Sequence, residues 1–355
     1  MEGSCTAFFQ EVVPRNIFKI SGNSLAMQLE QCWWYKATPN QDMVSRWNVA
    51  LQGALRSGNL DPLHMETLLV DAGGETPIEV PVSLTNNQFR AANSIAYPYG
   101  HDAAVQASIA AFLEDDGVFF DLGASWGTMS FTVALRPHFK GAIHAFEPWH
   151  QSADDFQHIR QALPISCDLQ LHRIALSDHS GTAKLFLQFN CGGNSLDWFG
   201  PDNPYEMVDV QALDLMPLPP PNVIEMDVEG HEGAALRGAV RTIAEAHPVV
   251  LFENWLKAPG DIIGAMEPFI QLQGLNYSFF CSMWLDADGR LQHQPDGRLS
   301  RQRLALVAVT PQGRLEFAEG LDIVALPPGY SLDRWSQAVV PVDAYPFRRQ
   351  APLFL

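Results

Sequence analysis

The residue order predicts an α/β fold: a doubly wound parallel sheet with an antiparallel closing hairpin, plus an N-terminal α+β extension. Three observations predict it. Apolar runs recur that stop on an acid and turn over glycine, VFFDLGASWG at 118–127 and NVIEMDVEGHE at 222–232. Stretches with helical spacing of apolar residues separate such runs. Toward the end of the chain the intervening helices drop out and strand-like runs follow one another. Strands buried on both faces read as continuous apolar runs, and helices between them make the sheet parallel.

The elements follow in order. Residues 1–100 read as a separate layer, whose 24–60 stretch is aromatic and helix-like, with Trp33, Trp34, Tyr35 and Trp47. METLLVDAGGETPIEVPVSL then reads as a hairpin around Ala72-Gly73-Gly74. Pro81 cannot donate to a ladder, so its strand belongs at an edge. Alternation begins at His101, with a helix over 103–113, strand one over 118–122 and a helix over 126–135. Strand two (142–147), a helix (153–162), strand three (168–176) and an extra strand (182–189) come next. A stiff Pro-rich loop at 216–221 feeds strand four, 223–228. A helix over 231–246, strand five over 248–253 and a helix over 261–272 complete the parallel part. The runs 277–284 and 304–310 have no long helix between them and form the closing hairpin. The phrase Asp/Gln-Gly-Arg-Leu at Asp288, Asp296 and Gln312 reads as repeated turn chemistry. The expected units are therefore 1–100, 101–312 and a tail, 313–355, packed on the core.

Composition narrows the function. The chain has 355 residues, 47% of them apolar, and a net charge of −18 with only 22 Lys plus Arg. Such a field repels phosphate backbones and anionic lipid, which argues against nucleic acid and membrane as partners. The five cysteines are scattered without a C-x-x-C spacing, so no zinc or thioredoxin-like motif is indicated. No basic segment followed by a long apolar run opens the sequence, and no stretch approaches membrane-spanning length. A cytoplasmic protein with free thiols is the expectation, and homo-oligomerisation is left open.

The residues able to carry chemistry sit at predicted strand ends. In Asp121-Leu-Gly123-Ala124-Ser125-Trp126-Gly127, glycine permits a sharp turn and the following helix offers unpaired N–H groups. The spacing is not G-x-G-x-x-G. An acid before the loop opposes a pyrophosphate and suits an ammonium. Glu147, one βα unit on, is placed to accept both hydroxyls of a ribose, with Pro148 stopping the strand and Trp149 either facing a flat base or packing on the next helix. Strand four ends in Asp227-Val-Glu229-Gly230-His231-Glu232. Glu232 suits a helix cap. Asp227, Glu229 and His231 are the catalytic candidates, with His231 a general base or a solvated helix-start residue. Glu253 and Asn254 end strand five and, with Asp227, present oxygens for a hard divalent ion such as Mg2+. Asn190, Asn194 and Ser195 form a polar loop that either touches substrate or simply turns.

Together these motifs carry a resemblance. Asp-x-Gly-Ala-x-x-Gly at 121–127, Phe-Glu-Pro at 146–148, Ala-Leu-Ser-Asp at 175–178 and Asp-Val-Glu-Gly-His-Glu at 227–232 resemble the FkbM family of S-adenosylmethionine-dependent methyltransferases. Glu253 after a Pro-Val-Val-Leu-Phe strand also fits. The resemblance spans about 117–273 and implies a class I methyltransferase, Rossmann-like fold. It implies that Asp121 and the Gly123–Gly127 loop hold the methionine part of S-adenosylmethionine, that Glu147 binds its ribose, and that the 175–178 segment, Leu176 included, flanks its adenine. Asp227 to His231 would border the methyl-transfer centre. The chain departs from the family at Glu225, where a Lys is usual, and in the bulky Trp126 and Trp149.

The expected function is O-methylation of a hydroxyl on a sugar, polyketide or related metabolite, so the expected partner is a small-molecule or glycan acceptor. His231 is the first candidate base, and Asp227 with a bound ion the second. A methyltransferase-like binding or scaffold protein without turnover is the main rival. A nicotinamide-dependent oxidoreductase is the weaker one, because the third glycine is missing.

Overall fold

A computed structural model of the chain describes residues 4–13, 16–20, 65–83, 102–187, 193–197, 203–256, 262–295, 301–317 and 320–341. The aromatic 24–60 stretch, Asn190 and the Asp296-Gly297 turn lie outside the described residues.

Parallel pairing builds the first half of the main sheet. Strands β5 (Val118–Leu122), β6 (Ala142–Phe146), β7 (Asp168–His172), β11 (Val223–Met226) and β12 (Val249–Asn254) stand in the order β7-β6-β5-β11-β12. Counted as parallel strands this is 3-2-1-4-5, so the order reverses between β5 and β11. That is the switch point beyond which open α/β sheets leave a crevice. On one face pack α1 (Ala103–Phe112), α2 (Thr128–Ala134) and α3 (His150–Ala162), through Ile109, Phe131 and Phe156. On the other pack α4 (Glu232–Arg237), α5 (Val240–Ala246) and α6 (Ile262–Gly274), through Leu236, Ile243 and Phe269. The expected doubly wound α/β core is what the chain forms.

Two expected elements divide. The 231–246 helix breaks into α4 and α5 at Gly238, where a Cβ would collide with the Ser177 carbonyl oxygen. Strand three ends at His172, and β8 (Ala175–Leu176) leaves it for a small sheet, β8-β10-β9. Its other strands are β9 (Gly181–Phe186) and β10 (Tyr205–Gln211), the second not anticipated because only Val208 and Val210 along it are buried. The Gln312-Gly313 turn is instead part of the short helix α7 (Pro311–Arg314).

The second half of the sheet is antiparallel. Strands β13 (Ser278–Leu285) and β15 (Gln302–Ala308) pair as the expected hairpin, and β14 (Leu291–Gln292) folds back on β13 after the Asp288-Gly289 turn. Yet neither long strand abuts strand five. The strand inserted between β12 and β13 is β16 (Leu321–Leu326), drawn from the stretch read as a tail. Its LDIVAL run buries every residue but Asp322, the pattern of a strand covered on both faces. Beyond β15 come β1 (Ser4–Val12) and β17 (Ser336–Pro341), each antiparallel to its neighbour.

The N-terminal layer also contains the sheet β2-β3-β4, from Phe18–Ile20, Met65–Val70 and Ile78–Ser83. Strand β4, with Pro81, is at its edge as expected. Phe18 meets Trp126 edge-on, ring centroids 4.7 Å apart, so this layer covers the glycine loop.

Candidate active site

Four strand ends and the turns after them surround one cleft of about 150 Å³. That is room for about ten water-sized bodies, hence for an organic ligand and not a single solvent molecule. The cleft changes character from one strand to the next, and neighbouring strands stand about 4.8 Å apart.

At the β7–β8 end the walls are apolar: Ile174, Ala175, Leu176, Leu185 and Leu196. Asn194 and Ser195 border the same end, and the Ser195 amide and carbonyl pair with Phe186.

At the end of β6, Glu147 is buried and clamps two turns. One carboxylate oxygen accepts the Ser125 N–H at 2.8 Å, and the other accepts the Trp149 N–H at 2.7 Å. Burial raises this carboxyl to about 7 against the pull of those two N–H donors. Pro148 lines the cleft with it. Trp149 does not: it is fully buried beneath the small sheet, among Leu185, Leu187, Val208 and Val210. Of the two positions open to Trp149, facing a base or packing, the structure shows packing, and a place for it among the cofactor-binding residues is corrected.

The glycine loop follows β5. Gly123 has a left-handed φ of 86°, and a Cβ there would collide with the Asp227 carbonyl oxygen, so only glycine lets the loop lie against β11. Ser125 adopts φ 50° without being glycine, and it lines the cleft with Ala124 and Trp126. Gly127 lies elsewhere: its missing Cβ makes room for the Phe131 and Phe156 rings, so it serves helix packing.

Asp121 is 1% exposed, which makes its partners decisive. Its Oδ2 accepts from the Ser130 N–H at 2.9 Å and the Ser130 hydroxyl at 2.5 Å, satisfying a first-turn donor of α2. Asp121 and Glu225 stand opposite each other in the β5–β11 register, so both project to the face covered by α1 and α2. Burial raises Asp121 to about 6, and burial together with the facing Asp121 pushes the Glu225 carboxyl well above the usual range. Two carboxyls this close cannot both ionise freely. Ser130 as the hydrogen-bond partner of Asp121 and Glu225 as its facing neighbour were not anticipated.

Asp227 and Glu229 lie one turn further, and Asp102 lines the same cleft. Asp227 Oδ1 is buried and makes no hydrogen bond. Burial raises this carboxyl well above the usual range, and Glu229, Glu253 and Glu225 raise it further. Glu229 holds a left-handed φ of 55°. Strained non-glycine residues at Ser125 and Glu229 on one cleft mark it as a functional site.

His231 also borders the cleft, but both ring nitrogens are engaged, Nε2 with Ser177 Oγ at 3.0 Å and Nδ1 with Asp197 Oδ1 at 3.2 Å. The ring ties two turns together. Glu232, the first residue of α4, accepts the Gly230 N–H of the preceding turn at 3.1 Å and caps no N–H of the helix, contrary to the cap expected of it.

The proposed ion set of Asp227, Glu253 and Asn254 does not assemble. Successive strand residues point to opposite faces. Asn254 therefore turns away, donating to the Ala265 carbonyl at 2.6 Å and accepting from Arg314 Nε at 2.6 Å. Among the described residues no group of three or more His, Cys, Asp or Glu is placed to hold a metal ion. Glu253 remains on the acidic face, raised to about 8 by burial and by Asp322.

No family model and no curated protein matches the chain. Solved structures similar to it include the methyltransferase FkbM from Methylobacillus flagellatus KT, at 18% identity and TM-score 0.36 over 54% of this chain and 44% of that one. Others are precorrin-6y C5,15-methyltransferase from Geobacter metallireducens GS-15, at 14% identity and TM-score 0.32 over 62% and 88%, and the Pyrococcus abyssi tRNA (uracil-54, C5)-methyltransferase in complex with S-adenosyl-L-homocysteine, at 12% identity and TM-score 0.30 over 65% and 42%. The chain thus spans less than half of the FkbM methyltransferase. Likeness this partial carries no chemistry across; the reading of the cleft rests on its own residues.

Proposed function

We propose that the protein is an S-adenosylmethionine-dependent methyltransferase that methylates a hydroxyl of a small molecule or glycan. The observation that carries this is the gradient along the cleft. An apolar end at Ile174, Leu176 and Leu185 suits a flat base. A diol acceptor, Glu147, follows, then the glycine loop, then the acids Asp121 and Glu225. An adenosine joined to a cationic amino acid has that order of parts, and the strand spacing matches its length. A dinucleotide would put pyrophosphate against Asp121, which repels it.

The bound cofactor supplies an electrophilic methyl group on a sulfonium. This chain's residues position the acceptor oxygen in line and take its proton. Asp227 is the stronger candidate base, because it lines the cleft and its carboxyl has an oxygen without a hydrogen bond, whereas both nitrogens of His231 are occupied. His231 then positions the turns that carry Glu229 and Asp197. The net charge of −18 favours a small or glycan acceptor over nucleic acid.

Calorimetry with S-adenosylhomocysteine is the first test: micromolar binding is expected, and its absence sinks the reading. Single-turnover methyl transfer then separates the roles. Asp227→Asn should abolish transfer while His231→Ala slows it, and the reverse result would return the base to His231. Binding without transfer to any acceptor would favour the scaffold reading.

A further inference from the structure

One wall of the cleft is a short segment tied to both of its sides. Asn194, Ser195 and Leu196 line the cleft, together with the apolar residues of the β8–β9 side and the turn that carries Glu229 and His231. The small sheet holds the first part of the segment. The Phe186 N–H donates to the Ser195 carbonyl at 2.8 Å, the Ser195 N–H donates to the Phe186 carbonyl at 3.1 Å, and Leu196 packs on the cluster around Trp149. One residue on, the attachment changes sides. The Asp197 N–H donates to Ser195 Oγ at 3.0 Å, while its carboxylate meets His231 Nδ1 at 3.2 Å, at the start of α4. A Cβ on Gly230 would stand 3.4 Å from Asp197 Oδ2, so the carboxylate rests against that same turn. Two consecutive residues thus join the β9 side of the cleft to the β11 side.

The network fixes the tautomer of His231. A carboxylate only accepts, so Nδ1 carries the proton and Nε2 accepts from the Ser177 hydroxyl at 3.0 Å. Ser177 is itself held by its N–H, which donates to the Gln211 carbonyl at 3.0 Å. Ser, His and Asp in this order also make a nucleophilic triad, but Ser177 is 1% exposed and is not among the residues that line the cleft, so no substrate carbonyl reaches it. What the relay supplies is a rigid post. The Asp197 side chain is 55% exposed, so this end of the wall can part from its post without unpacking the core.

Resting on the methyltransferase reading, we propose that Asp197 is a positioning residue for the nucleoside: its bond to His231 clasps the wall of Asn194, Ser195 and Leu196 against the bound cofactor, and parting of that bond lets S-adenosylhomocysteine leave. A cleft that encloses its ligand has to open once in every turnover, and such openings set the release rate of many enzymes. A single exposed hydrogen bond is weak enough to part often. The paired backbones of Ser195 and Phe186 stay in place as the hinge. His231 thereby has a task apart from proton removal.

The test is the dissociation rate of S-adenosylhomocysteine from the whole protein, followed by surface plasmon resonance. Asp197→Ala should raise that rate about tenfold. Asp197→Asn, whose amide oxygen still accepts the Nδ1 proton, should fall between Asp197→Ala and the unmodified protein. In a His231→Ala background, Asp197→Ala should add less than about twofold, because its partner is already gone. The thermal midpoint of each Asp197 variant should stay within about 2 °C of the unmodified protein, as for an exposed side chain. Amide exchange without nucleoside should quicken at residues 196 and 197 in Asp197→Ala and stay unchanged in β5. A dissociation rate unchanged or slowed in Asp197→Ala, an Asp197→Asn no better than Asp197→Ala, a full effect on top of His231→Ala, a larger fall in midpoint, or unaltered exchange would each overturn the proposal. Failure of the unmodified protein to bind S-adenosylhomocysteine would overturn the methyltransferase reading instead, and the exchange measurement would then decide whether the clasp holds the wall.

Discussion

The parallel half of the main sheet comes from one stretch of chain, β5 to β12, and every strand end that borders the cleft belongs to it. The antiparallel half is assembled from β13, β15 and β16, with β1 and β17 from opposite ends of the chain, and it lends no residue to the cleft. Both halves are equally apolar inside: Phe120 and Val250 in one and Leu306 and Val324 in the other are wholly buried. The difference lies in where strands end. Parallel strands all finish on one rim, so their terminal acids and turns converge. Antiparallel strands finish alternately on both rims and cannot gather side chains in one place. Chemistry should therefore be confined to one half and mechanical support to the other.

The sharpest way to break that division is Gly123→Val. The new side chain would strike the Asp227 backbone at a left-handed φ. A loss of about 4 kcal/mol in stability and undetectable binding of S-adenosylhomocysteine are expected, by chemical denaturation and calorimetry. Next comes Leu306→Ala in the antiparallel half, where the side chain is wholly buried. It should cost about 3 kcal/mol in stability yet leave nucleoside affinity unchanged where the protein is folded. A matching loss of affinity would show that the halves are not separate in function.

Glu147→Gln is milder. The amide can accept only one of the two backbone N–H groups that Glu147 now serves. About 1.5 kcal/mol and roughly a tenfold weaker nucleoside affinity are expected. A change of pH tests the acidic face as a whole. Asp121, Glu147 and Glu253 are held up at about 6, 7 and 8 by burial, and Glu225 and Asp227 shift the same way. The folded protein thus keeps protons that the unfolded chain releases near pH 4, about the ordinary carboxylate value. Stability is full below that point and falls as pH rises through the window up to about 8. Calorimetric Tm should decline steadily from about pH 5 to about pH 8, and a rising Tm would contradict the buried acidic face.

The same contrast explains what could be read from residues alone. The parallel strands were legible because continuous apolar runs ending in acids, such as VFFDL and NVIEMD, advertise their own burial and their own C-terminal ends. Local turn chemistry likewise pointed to Gly123, Glu147 and Pro148, and all three line the cleft. What escaped notice depended on distant partners. LDIVAL is apolar enough for a central strand, but its insertion between β12 and β13 is decided by pairing across many residues. The Ser130 and Glu225 partners of Asp121, and the Ser177 and Asp197 partners of His231, also arise only when separate segments meet. Face alternation was the available signal against Asn254 as an ion ligand: it follows Glu253 directly, so the two cannot point the same way within one strand.

The position of β1 has a consequence for how the molecule comes into being. Ala7 pairs with Val307 on one side and with Ala338 on the other. During synthesis β1 emerges long before its partners β15 and β17, while the 118–254 stretch can pair within itself. Loop closure over such a distance is slow, and an unpaired strand invites association with other chains. Refolding should accordingly show a fast phase that restores the parallel core and a slow phase in which β1 docks. A chaperone that shields this one segment would raise the yield of folded protein most.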